Sequence, residues 1–80
     1  MTATAVLRPA RTQAPEFCPA ALRAARKAAG LTLGQVGTHL ARHGVTVARY
    51  EGGAIDPPAS VLGALAALYG VGVGDFYRVP

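Results

Sequence analysis

The sequence predicts an all-α domain, and three observations predict it. Apolar residues recur at i, i+3, i+4 spacing through most of the chain beyond residue 18. Prolines and glycines stand where helices begin and end, as Pro19 with Gly30 and Pro58 with Gly70. The apolar share of 51% is carried largely by alanine, which is the best helix former as well as an apolar residue. Eighty residues make one domain with a small core.

The chain carries seven arginines and one lysine against four acidic residues, a net charge of +4 (8 − 4). A basic balance favours a polyanionic partner such as nucleic acid. Cys18 is the single cysteine, so no intramolecular disulfide is possible, and no neighbouring cation activates its thiol. The N-terminus has no apolar run of signal-peptide length, and no segment approaches the roughly 18 apolar residues of a membrane span. A cytoplasmic, nucleoid-associated protein without cofactor, membrane contact or small-molecule substrate is expected.

Residues 1–18 hold Pro9 and Pro15 and no sustained periodicity, which predicts a flexible or extended arm. Arg8 and Arg11 on it could touch phosphate. Residues 19–80 form the domain. Its first helix starts at Pro19, runs to about Ala29 and stops at Gly30, with Leu22, Ala25 and Arg26 on one face and Arg23 and Lys27 on a solvent face.

The stretch from Gly30 to Glu51 reads as two short helices and a turn. Thr32 has the chemistry of an N-cap, with Gln35 placed to complete a capping box. Val36, His39 and Leu40 form the apolar face of this helix, while Gly34 and Gly37 are costly inside it, which points either to close approach to a neighbouring helix or a DNA phosphate or to drift in a marginal helix. Arg42-His43-Gly44 breaks the pattern, with Gly44 supplying conformational freedom for the turn. Val47 and Tyr50 then point inward, and Thr46, Ala48 and Arg49 face elsewhere. Helix, short turn and helix is the arrangement whose second helix can enter the DNA major groove.

After Glu51, Gly52 and Gly53 end that helix, Ile55 is expected in the core, and Asp56-Pro57-Pro58 is extended. A strongly apolar helix follows, from about Ala59 to Tyr69, with Val61, Leu62, Leu65, Ala66, Leu68 and Tyr69 on its inner face. A short last helix, about Val73 to Tyr77, turns Phe76 inward.

In this order the elements resemble the Cro and phage-repressor type of helix-turn-helix family. The resemblance covers about residues 19–78 and rests on Leu22 and Arg26, Gly30-Leu31-Thr32, Arg49-Tyr50-Glu51-Gly52-Gly53, Pro58 with Leu62, Leu65 and Ala66, and Tyr69-Gly70-Val71. It implies a compact five-helix, lambda-repressor-like DNA-binding domain behind the arm. It implies that Arg26 bridges to Glu51 as a structural pair, which agrees with two charges on inward-facing positions. It also implies base reading from the start of the second helix and again near its end, here Gly44, Val45 and Arg49, flanked by His43 and Thr46, with Arg42 on phosphate. The chain departs from the family in Leu33, where glutamine often begins the first of the two helices, and in His43-Gly44-Val45, which offers few side chains for bidentate base contacts.

The function expected is a sequence-specific DNA-binding transcriptional regulator acting as a homodimer, its dimer surface involving Val71 to Pro80, where Val73, Tyr77 and Val79 either leave apolar surface for a partner or pack within the domain. The alternative is a protein-interaction module, an adaptor or antitoxin-like subunit, built on the same fold. An enzyme is not expected, since no nucleophile–base pair, carboxylate pair or phosphate loop occurs. His39 and His43 have metal-ligand spacing, but two ligands are too few for zinc, so His39 is expected packed and His43 exposed.

Overall fold

A computed structural model describes residues 14–79. The elements in order are β1 (Glu16–Phe17), α1 (Pro19–Ala28), α2 (Leu33–Leu40), α3 (Gly44–Glu51), α4 (Ala59–Tyr69), a 3-10 helix (Val73–Phe76) and β2 (Tyr77–Arg78). The expectation of an all-α, five-helix domain is met in its mainly helical character and corrected in its count. Among the described residues four α-helices form, the fifth element is a single 3-10 turn, and Tyr77 leaves it for a strand.

That strand changes the picture of the arm as well. Arg8 and Arg11 lie outside the described residues, but Glu16 and Phe17 do not, and they pair antiparallel with Arg78 and Tyr77. The Phe17 and Tyr77 rings meet edge to face with centroids 6.1 Å apart. The Cys18 N–H donates to the Phe76 carbonyl at 2.7 Å. Two-residue strands are too short to show a period of two, so only the folded chain brings them together.

The helix ends follow one rule. After each α-helix comes a residue in the left-handed region: Gly30 (φ 75°), Ala41 (φ 55°), Gly53 (φ 80°) and Gly70 (φ 74°). In each case the next residue's N–H reaches back to the last turn, as Leu31 to the Arg26 carbonyl and Arg42 to that of Gly37. These bonds satisfy carbonyls that the helix leaves unpaired. Ala41 is the exception to glycine at this position, and it corrects the expectation that Gly44 supplies the turn's freedom. Gly44 is instead the first residue of α3, where a Cβ would stand 3.4 Å from the backbone of Gly34.

The starts are equally local in cause. Thr32 and Gln35 form the full capping box: the Gln35 N–H donates to Thr32 Oγ1 at 3.1 Å, and the Thr32 N–H donates to Gln35 Oε1 at 2.8 Å. Pro19 opens α1 and Pro58 precedes α4.

The core is Leu22, Val36, Val47, Tyr50, Val61, Leu62, Leu65, Ala66, Tyr69 and Phe76, with Phe17, Leu31, Leu33, Leu40, Leu68 and Val71 packed partly buried around it. Two expected core members are absent. Ile55 is 43% exposed, because the chain after Gly53 runs along the surface to the Asp56-Pro57-Pro58 segment, and it is Pro57 that is buried there. His39 is also exposed, beside a groove lined by Leu40, Ala64, Ala67 and Leu68. Among the described residues no helix is long and apolar enough to cross a membrane.

Candidate nucleic-acid interface

The site is built around the contact of α2 with α3, and its pivot is Gly37. A Cβ on Gly37 would lie 2.6 Å from the Arg42 carbonyl oxygen and 2.9 Å from the Gly44 nitrogen. No side chain fits there, so glycine lets the turn fold back onto α2. Of the two readings of these glycines, close approach therefore holds at Gly37, whereas a Cβ on Gly34 would meet nothing within 4 Å.

Behind α3 stand Val47, fully buried, and Tyr50, 4% exposed. Its last residue is tied to α1. Arg26 Nε donates to Glu51 Oε2 at 2.7 Å, Nη2 donates to Oε1 at 3.0 Å, and Nη1 donates to the Leu31 carbonyl at 2.8 Å. Both side chains are more than nine-tenths buried. The hydrogen bonds to Glu51 hold the Arg26 guanidinium more basic than usual, against the opposing effect of burial. This one residue thus joins α1, the loop to α2 and the end of α3.

The opposite face of α3 and the turn before it carry the residues singled out for nucleic-acid contact. Arg42, His43 and Arg49 are exposed, Val45 is 49% exposed, and Gly44 and Thr46 are half-buried. His43 also caps α3, because its Nδ1 accepts the Val45 N–H at 3.0 Å. A neutral imidazole that accepts at Nδ1 carries its proton on Nε2, which leaves a donor on the exposed side. The face holds one guanidinium near the end of the helix, one at the turn, a methyl-bearing Val45 and two single hydrogen-bonding groups. Among the described residues no group of three His, Cys, Asp or Glu could hold a metal ion.

Residues 20–76 match the family model described as a helix-turn-helix domain. The chain belongs to the helix-turn-helix family. No curated protein and no solved structure matches it. The matched span contains both α2 and α3, which fits the paired-helix reading of Gly30 to Glu51.

Sequence reasoning overlooked two features of this region. The left-handed Ala41 carries no signal, because alanine is not a residue that marks such a turn. Tyr69 is expected inside, but its hydroxyl is buried with no hydrogen-bond partner, close to the Arg26–Glu51 pair. Burial, and then the Glu51 charge, push its phenol up to about 12.

Proposed function

We propose that the chain binds double-stranded DNA as a transcriptional regulator, with α3 laid in the major groove and two copies acting on a two-fold related site. The observation that carries this reading is the division of α3 into an anchored face (Val47, Tyr50 and the Glu51 bridge) and an exposed face (Val45 and Arg49). A major groove about 12 Å wide admits such a helix. Arg49 is suited to guanine O6 and N7, Val45 to a thymine methyl, and His43 and Thr46 to one hydrogen bond each. Gly44 lets α3 close against the backbone of Gly34, which sets the start of the helix, and Arg42 supplies a phosphate contact. The net charge of +4 favours the same partner.

A single domain with so few base contacts gains affinity by pairing. Val73 (40% exposed) and Val79 (63% exposed) supply apolar surface near the end of the chain, which supports pairing through that end. Selection from a random-sequence duplex library, at low and at physiological salt, tests the proposal. A two-fold symmetric site with half-sites about one helical turn apart is expected, and it should be lost with Arg49→Ala.

One observation favours a second reading, a protein-interaction module. The α3 face begins with a half-buried glycine and an exposed valine rather than with amide side chains. On that reading library selection enriches nothing, and retention on duplex disappears at physiological salt.

A further inference from the structure

A cleft of about 370 Å³ opens on the flank of α3, lined by Arg23, Arg26, Leu33, Ala48, Glu51 and Gly52. Its floor is the Arg26–Glu51 pair. Both Glu51 oxygens are engaged by Arg26, so this carboxylate does not serve a second cation. Its α3 wall is Ala48 and Gly52, one turn apart and nearly without side chains. Its α2 wall is Leu33, whose side chain cannot donate a hydrogen bond. Arg23, on α1, is the remaining polar group, and it is exposed. Among the described residues it has no hydrogen-bond or ion-pair partner.

A helix in the major groove has a sugar–phosphate strand along each flank. With the Val45 and Arg49 face toward the bases, the flank marked by Ala48 and Gly52 lies against one strand. The small residues there let the strand come close, and the guanidinium across the cleft is the one cation placed to meet it. The geometry points to Arg23 as a backbone clamp: a positioning residue that binds a DNA phosphate across this cleft, in place of any side chain from the first turn of α2. This rests on the DNA-binding reading above and adds to it a residue outside the helix-turn-helix. It also changes the role of Arg23, which as a sequence feature belongs to a solvated helix face.

The test uses the full chain and a short fluorescent duplex of random sequence, with a second duplex carrying the selected site where selection gives one. Binding is titrated across a range of salt for the wild type, Arg23→Gln, Arg23→Lys and Lys27→Gln. Lys27→Gln makes the same charge change on the same helix, at an exposed residue that does not line the cleft, and thermal melts confirm that each variant is folded. Arg23→Gln should weaken binding severalfold and equally on both duplexes, and lower the slope of log K against log salt by about 1. Arg23→Lys should recover part of the loss, and Lys27→Gln should stay within about twofold of the wild type, as expected for a charge that meets no phosphate. Equal losses for Arg23→Gln and Lys27→Gln, with the same slope, would overturn the clamp and leave DNA binding standing. A wild type without salt-dependent retention on duplex would instead remove the DNA reading itself, and the clamp with it.

Discussion

Arg26 holds Glu51 through two hydrogen bonds, of 2.7 and 3.0 Å, across 25 residues of sequence, and its third nitrogen holds the Leu31 carbonyl. The bridge fixes the end of α3 to α1, so the presented helix is tied down at the end opposite to its contact with α2. Removing one partner strands a buried charge, which costs about 3–5 kcal/mol. Glu51→Ala and Arg26→Ala should each lower the melting temperature strongly, whereas Arg26→Met with Glu51→Leu should lose less than either single change. Equal stability of Glu51→Ala and wild type in denaturant titrations would rule out a structural role for the pair.

Tyr69 gives the opposite kind of prediction. Its hydroxyl is buried without a partner, and such a group costs about 1–3 kcal/mol. Tyr69→Phe should be as stable as the wild type or more so, while keeping the edge-to-face contact with Phe76. The pH dependence follows from the raised phenol. From pH 10 to about 12 the unfolded chain gives up this proton and the folded chain retains it. Folding stability therefore falls with rising pH in that window. The advantage of Tyr69→Phe should widen between pH 9 and pH 11, measured by paired melts.

The turn between α2 and α3 contains one substitution in each direction. Gly37→Ala drives a Cβ into the Arg42 carbonyl and the Gly44 nitrogen, and overpacking of this kind costs about 1–3 kcal/mol. The upper end of that range is expected, because both obstacles are backbone. Ala41→Gly removes the strain of a left-handed alanine and should stabilise by about 0.5–1 kcal/mol. An Ala41→Gly protein with a lower melting temperature would contradict the left-handed turn.

His43 caps α3 with its ring nitrogen. Loss of an N-cap costs about 1 kcal/mol. His43→Ala should therefore destabilise, and His43→Asn, which can accept the same Val45 N–H, should recover most of the loss. Identical melts for the two variants would show that the imidazole does not act as the cap.

What the sequence made legible is what a few neighbouring residues decide. The capping box needs only Thr32 and Gln35, the ends of α1, α3 and α4 need one glycine each, and the inner face of α4 needs only its period. What it hid depends on partners far along the chain. Glu16 and Phe17 become a strand because Tyr77 and Arg78 meet them. Ile55 is apolar, yet the path after Gly53 keeps it at the surface. At the site, the exposure of Arg42, His43, Val45 and Arg49 agrees with the helical period, since Val47 and Tyr50 fix the inward face. The place of Arg23 beside that face was not legible, because only the packing of α1 against α3 brings Arg23 to the same cleft as Ala48 and Gly52.

If α3, anchored from behind, presents its outer face to DNA, the residues that feel the duplex are known in advance. Backbone amide chemical-shift mapping locates them, and a chain of 8.1 kDa suits the method. With duplex added at physiological salt, shift changes should gather on Arg42 to Thr46 and Arg49, extend to Arg23, and leave Glu16 and Tyr77 unmoved. Changes confined to Val73 to Val79, or none at any residue, would show that α3 is not the DNA-binding element.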